Sequence, residues 1–369
     1  MAASISSSPE HEQELLSAFR GGDQDAFEKL VRPYRPELHA HCYRMLGSLH
    51  DAEDALQDAM LRAWRGLSKF EGRSSVRSWL YTIATNTCLN AIARRPKRVL
   101  PIDHRPPADP QDGPGEPLTE SVWVEPYPDE QIGVPDGAAS PEARYELRES
   151  VELAFVAALQ NLPATQRAVL IMREVLGFSA QEVAGSLQTT VPSVNSALQR
   201  ARKTTSELLP ERSQQATLRS LGDRRLRALV ERYMSAMQHA DVDTVVGMLA
   251  EEAAWSMPPL ASWFSGPGLP EFLRRGPLSG EFRWRHLPAH ANGQAAVGCY
   301  TWHPDAGAYL PFALDVLTLD GGQIKQVTAF IVRSSQDDPE LFARWPDAPP
   351  DPDRVASVFG RIGLPDRLD

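Results

Sequence analysis

The run DAEDALQDAMLRAWRGLSKFEG (residues 51–72), followed almost at once by SVRSWLYTIATNTCLNAIARR (residues 75–95), decides how this chain is read. At about 100° per residue, Ala52, Ala55, Leu56, Ala59 and Ala63 share one side of the first helix, which is a core face. Opposite lie Asp51, Glu53, Asp54, Gln57 and Asp58, with Leu61 and Trp64 set among them. Acids mixed with large apolar groups suit a protein partner better than water. The charge then reverses. From Leu61 to Arg98 nine basic residues stand against one acid, Glu71, in a chain whose net charge is −10. In the second helix Leu80, Ile83, Thr87 and Ala91 form an inner stripe, and Trp79, Asn86 and Asn90 lie on the stripe beside it. Cations for phosphates, a ring to stack on and amides for base edges are what holding an unstacked strand requires.

On those residues the two runs resemble region 2 of the extracytoplasmic-function (group IV) sigma factors of bacterial RNA polymerase. The resemblance implies that the acidic helix grips the coiled-coil of the polymerase β′ subunit through Asp51, Glu53, Asp54, Gln57 and Asp58. It also implies that the second helix opens and reads the promoter −10 element. Phe70, Arg73, Arg77, Trp79, Tyr81, Asn86 and Asn90 would then sit at the melted strand. Asn90 departs from the Asp that many relatives carry at that point.

A length of 369 residues suggests two or three domains, each large enough for a core. Cys42, Cys88 and Cys299 are scattered without a CxxC pair, so neither a disulfide framework nor a zinc ribbon is expected, and the setting is a reducing cytoplasm. His39, His41 and Cys42 are close in sequence. Their spacing puts the cysteine in an apolar stripe and the histidines on different faces, so no metal is expected. No apolar run approaches the roughly 18 residues of a membrane span, and the first residues lack an apolar signal core, so no membrane partner is expected. The acidic balance argues against indiscriminate coating of nucleic acid and confines DNA affinity to patches.

Residues 1–13, polar and Ser-rich, are expected to be unstructured. The first domain, 14–95, begins with helical periodicity over Glu14–Arg20 and Asp25–Leu46, whose stripe of Phe27, Leu30, Val31, Tyr34, Leu38, Cys42 and Leu46 packs under the acidic helix. Residues 96–141 are Pro-rich and acidic, the composition of a linker. Composition alone describes a flexible tether, whereas the family resemblance implies an extended segment through the RNA-exit and active-site channels of the polymerase. Within SVWVEPY (residues 121–127), Trp123 and Tyr127 are costly to leave exposed and mark a docking point.

Residues 142–210 form a second helical domain ending in a helix-turn-helix. Ser179 with Glu182 makes a capping box, Val183, Ala184 and Leu187 are its buried side, Gln188–Val191 make the turn, and Pro192 sits in the first turn of the next helix. There Val194, Ala197, Leu198 and Ala201 face inward. Ser193, Ser196, Arg200 and Lys203 line the outer face, flanked by Asn195, Gln199 and Arg202. Short polar groups at the N-terminal end suit base edges in a major groove and the later cations suit phosphates. This domain resembles region 4 of the same family, which implies contact with the promoter −35 element and the polymerase β-flap tip.

Residues 218–335 open with a helix and continue as alternating segments with a DGG turn at Asp320–Gly322, the signature of a curved antiparallel sheet. The order resembles the cone of NTF2-like, SnoaL-type α+β domains. The expected architecture is therefore two all-α sigma domains plus an NTF2-like cone, with a Pro-rich tail, 336–369, whose short apolar helix Val355–Ile362 would latch the last domain onto the others. Trp255, His286, Trp302 and Asp315 are candidate pocket residues, and Asp315 interrupts an apolar run where a lone carboxylate is costly. A packed interaction domain, a ligand-sensing pocket and an enzyme remain open. No catalytic residue, metal or cofactor is assigned. The reading is a promoter-specificity subunit with core polymerase and promoter DNA as partners and a C-terminal domain that regulates it in cis. The alternative is a SnoaL-like binding or enzymatic domain tethered to DNA-binding helices.

Overall fold

The structure, a computed structural model, describes residues 9–113, 115, 122–132, 146–333 and 350–369. The chain divides into two compact units, Met1–Lys97 with Glu130–Leu209 and Arg98–Asp129 with Pro210–Asp369. Expectations for residues 1–8, for 114, 116–121 and 133–145, and for 334–349 lie outside the described residues.

The first unit opens with α1 (Pro9–Arg20), α2 (Asp25–Val31), α3 (Arg35–Leu46), α4 (Leu49–Gly66) and α5 (Val76–Ile92). Helix α1 starts before Glu14, where disorder is expected, because its first turns are tied down: the Tyr34 hydroxyl donates to Glu12. The single helix expected over 25–46 is broken by a 3₁₀ turn, Arg32–Tyr34, at Pro33 and Pro36, each of which lacks the N–H that would continue the ladder. Gly47, at φ 70°, ends α3 against Gln160, whose Cδ would lie 3.1 Å from any Cβ placed there. Ser48 and Ser75 then cap α4 and α5 by accepting from the N–H of Asp51 and Ser78, both at 3.1 Å.

The other half of this unit is the helix Leu153–Gln160, the helix Ala164–Leu170 with a π turn at Ile171–Val175, and the pair Ala180–Ser186 and Val191–Leu208. The Ser179–Glu182 capping box forms in both directions, and Thr190, not a turn residue before it, caps the last helix, which already includes Val191. The two halves pack on each other. Buried Arg167 donates to Met45 O and to Gln160 O and Leu162 O, Arg44 donates to Ser150 Oγ at 3.0 Å, and Tyr81 meets Phe178 edge-on at 5.3 Å between centroids.

The second unit is built on β1 (Leu249–Ser256), β2 (Trp263–Ser265), β3 (Trp284–Ala291), β4 (Gln294–His303), β5 (Ala308–Asp320) and β6 (Gln323–Ile331). They form one open sheet in the order β2-β1-β6-β5-β4-β3, antiparallel except for β1 with β6. The DGG turn closes the β5–β6 hairpin, with Asp320 opposite Gln323 and Gly321 at φ 56°. The helices Asp223–Gln238 and Leu269–Arg275 contribute Tyr233, Met237 and Phe272 to a core with Trp255, Val297 and Leu317. The unit begins earlier than residue 218: buried Gln214 exchanges two hydrogen bonds with the backbone of Leu319.

Side chains alternate along a strand. Cys299 therefore joins the core while Tyr300 turns to the other side, where Phe359 meets it edge-on at 5.3 Å. That partner comes from the tail helix Pro352–Val358 and its 3₁₀ extension Gly360–Ile362, and Leu364 packs on Gly298, where a Cβ would lie 2.7 Å from its Cδ1. The described part of the tail is thus an integral cover of its own sheet.

The largest departure from expectation is the linker. Arg98–Asp129 folds with the second unit. Val99 exchanges backbone bonds with Val122 and Val124, buried Trp123 donates its Nε1–H to Pro259 O at 3.0 Å, and buried Tyr127 pairs with Asn292 through its backbone. The two aromatics do mark a docking point, and its receptor is the sheet domain.

Candidate functional site

Helix α4 presents its acidic face in part. Gln57 and Asp58 are exposed, Asp54 is half-exposed, Glu53 is partly buried, and Leu61 and Trp64 on the same face are 48% and 43% exposed. Asp51 is the exception. It lies 5% exposed in the first turn, ion-paired with Arg95, so it is an internal contact and not part of an outward face. The helical wheel could not separate these two roles, because the partner of Asp51 is more than forty residues away in sequence. Asp54, Gln57, Asp58 and Arg62 share a polar groove with Asn90 of α5 and Arg94 just past its end, and the Asp51–Arg95 pair lines the same groove.

Helix α5 carries less exposed chemistry than its composition suggests. Arg73 is exposed beside Glu71 at 3.2 Å, Asn90 is exposed, and Asn86 and Trp79 are half-buried. Phe70 is buried and packs on Trp79 at 5.0 Å between centroids. Tyr81 is fully buried: its hydroxyl donates to Glu37 at 3.0 Å, and burial together with that carboxylate pushes its pKa well above the usual value. Arg77 spans the rings of Tyr81 and Phe178 at 4.9 and 4.8 Å and pairs with Glu37 at 3.3 Å. Of the residues expected at a DNA strand, Tyr81 is internal because the second helical half, through Phe178, covers it; Arg77 is partly covered by the same ring, its side chain 31% exposed, and Phe70 is buried against Trp79 within the first half. His41 completes this buried cluster, 2.9 Å from Thr85 Oγ1. Burial, with Arg44 and Arg77 nearby, lowers its pKa to about 3 and keeps it neutral.

The helix-turn-helix carries the expected outer face intact. Ser193, Asn195, Ser196, Gln199, Arg200, Arg202 and Lys203 are all exposed, while Val194, Ala197, Leu198 and Ala201 are buried beneath them. Ser193 N–H bonds the cap Thr190 and Arg202 pairs with Glu174; the rest of this face is free to meet a groove. The turn is tight, with Gln188 in the left-handed region at φ 51°.

In the second unit Trp255 and Asp315 line a common cavity, whereas His286 and Trp302 do not. His286 stacks beside Trp284 at 5.8 Å, buried, and burial lowers its pKa to about 4; Trp302 lies under Arg283 at 4.9 Å on the rim of the sheet. Asp315 is joined by residues that the sequence did not single out, Tyr233 and Cys299, whose hydroxyl and thiol donate to Oδ2 at 2.8 and 3.2 Å. Tyr233 sits in an apolar helical stripe and Cys299 in a strand, so neither carries a local signal of this role. Among the described residues no helix is long and apolar enough to cross a membrane.

Known proteins match both units. The family description Sigma-70 region 2 matches residues 30–98, and Sigma-70, region 4 matches residues 152–204. The ECF RNA polymerase sigma factor SigG of Mycobacterium tuberculosis is 42% identical over 355 residues, 95% of this chain and 86% of that protein. The RNA polymerase sigma-H factor of Pseudomonas aeruginosa is 31% identical over 198 residues, 53% of this chain and 91% of that protein. The crystal structure of the Mycobacterium tuberculosis extracytoplasmic function sigma factor SigJ superimposes with a TM-score of 0.52 at 20% identity, covering 88% of this chain and 96% of that one, a likeness of fold.

Proposed function

The chain belongs to the extracytoplasmic-function sigma factors of bacterial RNA polymerase, and from that premise we propose how its surfaces divide the work of a promoter-specificity subunit. Asp54, Gln57 and Asp58, with Leu61 and Trp64, bind the β′ coiled-coil; Glu53 flanks them. Ser193, Asn195, Ser196 and Gln199 read base edges of the −35 element while Arg200, Arg202 and Lys203 hold its phosphates. The same helical domain meets the β flap. Asn86, Asn90, Trp79, Arg73 and the partly exposed Arg77 serve the −10 strand, Tyr81 joins them only when the two helical halves separate, and Phe70 supports Trp79 from beneath. Catalysis stays with the polymerase, in the cytoplasm, and the C-terminal domain regulates the subunit in cis.

The observation that carries this reading is the pairing of two of the largest exposed apolar side chains, at 48% and 43%, with three polar or acidic neighbours on one helix face. Water does not favour that mixture, and a protein groove does. Pull-down of core polymerase by the full chain, and by a variant with Asp54→Lys and Asp58→Lys, tests it. Binding that the double reversal abolishes supports the assignment; equal capture of both proteins places the contact elsewhere.

A further inference from the structure

The second unit holds a cavity of about 140 Å³ between the sheet and the helix Leu269–Arg275. Trp255, Phe272, Trp284 and Phe312 wall it, and an apolar cavity of this size has room for a single six-membered ring. Asp315 forms its polar end. The carboxylate is 2% exposed, and both hydrogen bonds it accepts, from Tyr233 and Cys299, reach Oδ2, so Oδ1 is the polar atom it turns to the cavity. In the sheet Asp315 stands opposite Val297 and Ala329, among residues whose packing calls for no charge.

The remaining wall comes from the linker. Pro110 and Gly113, both half-exposed, close the mouth. Pro110 opens a short 3₁₀ turn, Pro110–Asp112, that Gly113 follows and that Asp109 caps by accepting from Gln111 N–H at 2.9 Å. The turn is seated on the domain at three points. Ala108 N–H donates to Trp263 O at 2.8 Å, Trp263 Nε1–H donates to Arg105 O at 2.6 Å, and Pro110 Cγ would lie 3.1 Å from a Cβ on Gly268, which only glycine leaves free.

We propose that this cavity binds a single-ring, otherwise apolar molecule that donates one hydroxyl or N–H to Asp315, and that the linker segment Asp109–Gly113 is the lid over it. A bound ring fills the space beneath Pro110 and holds the segment down, so occupancy of the cavity is read as retention of the linker on this unit. The ligand class follows from the volume, the aromatic walls and the single acceptor. A carboxylate of similar size is disfavoured, because its charge would meet that of Asp315 while Arg275, the cation that also lines the cavity, is already paired with Glu271 at 2.6 Å. The inference stands on the second unit alone and goes beyond the promoter reading, which its failure would leave untouched.

The test uses the full chain with 4-methylphenol, toluene and benzoate as probes, followed by calorimetry and by hydrogen exchange across residues 100–113. The expected result is saturable one-to-one binding of 4-methylphenol, toluene about ten-fold weaker for want of the hydrogen bond, and no binding of benzoate. At 100 times its dissociation constant, 4-methylphenol slows exchange of the Ala108 amide by up to about 100-fold. Asp315→Asn lowers the preference for 4-methylphenol over toluene several-fold while leaving toluene affinity unchanged, which a general packing defect would not do. Pro110→Ser, a change at the rim, speeds exchange at Ala108 and weakens both ring probes together. Absence of saturable binding by either ring probe overturns the site. Binding without any change of exchange at Ala108 overturns the lid, and an unaltered preference in Asp315→Asn overturns the role of the carboxylate.

Discussion

Replacing Asp315 by Asn removes a buried charge while keeping an oxygen that Tyr233 and Cys299 can bond. Burial pushes the Asp315 carboxyl up from 3.8 to about 6, against the lowering effect of those two hydrogen bonds. A carboxyl with a higher pKa in the folded than in the unfolded chain binds its proton more tightly when folded. Its stabilising contribution is complete below about pH 4 and is lost as the pH rises through about 6. A shift of about two units corresponds to about 3 kcal/mol. The stability of the second unit relative to the Asn variant should therefore fall by about 3 kcal/mol between about pH 4 and pH 7. Urea unfolding followed by tryptophan emission is weighted toward this unit, since Trp123, Trp255, Trp263, Trp284 and Trp302 lie within it while Trp64 and Trp79 lie in the first. Parallel pH curves for the two proteins would mean that the carboxyl titrates alike in folded and unfolded chains, and the reasoning from burial would be wrong.

Arg200→Ala and Lys203→Ala should each weaken promoter binding by the holoenzyme and lower its salt slope by about one unit. Arg202→Ala should lower it less, because Glu174 already engages that guanidinium; fluorescence anisotropy over a salt series distinguishes the three. Asp51→Ala should cost about 1 kcal/mol of first-unit stability, since it leaves half-exposed Arg95 only the longer pair with Asp54 at 3.9 Å, and should leave polymerase capture unchanged, whereas Asp58→Ala should reduce capture and leave thermal stability unchanged. Ser179→Ala removes the hydroxyl that accepts from Glu182 N–H, leaves the Ser179 N–H bond to the Glu182 carboxylate in place, and should cost about 1 kcal/mol by circular-dichroism denaturation. Phe178→Ala deletes one of the two rings that Arg77 spans and should cost about 3–5 kcal/mol, seen as a lower first-unit melting temperature.

Much of the helical architecture was legible because its signals are local. The 3.6-residue stripe of α4, the Ser179–Glu182 box, Pro192 in a first turn and the outward Ser193-to-Lys203 face each need only one segment to be read, and each is where it should be. What was not legible depends on which segment covers which. Tyr81 and Arg77 have the composition of nucleic-acid contacts, and only the second helical half, with Phe178, buries the first and covers part of the second. Asp51 and Gln57 look alike on a helical wheel until Arg95 arrives beside one of them. In the sheet domain Asp315 announced itself as a charge in an apolar run, but its donors did not, and His286 was indistinguishable by type from a pocket histidine. The linker shows both sides of this. Its Pro-rich composition hid a folded path, yet the burial cost of Trp123 and Tyr127 pointed to a docking site.

Arg98–Asp129 connects the two helical halves of the first unit in sequence while folding with the second. Any path that takes residues 105–113 off the sheet domain must break the Ala108–Trp263 and Trp263–Arg105 hydrogen bonds, worth about 1 kcal/mol each net, and must uncover Pro110. A ligand under that segment, present at 100 times its dissociation constant, adds about 2.7 kcal/mol to the seated state. The ligand's contribution is the larger of the two, and an occupied cavity multiplies the ratio of seated to released segment by about 100 relative to an empty one. A cavity that binds only one ring is therefore sufficient to control a linker of this length. The control needs no change in either helical half, because the lid and the linker are the same residues.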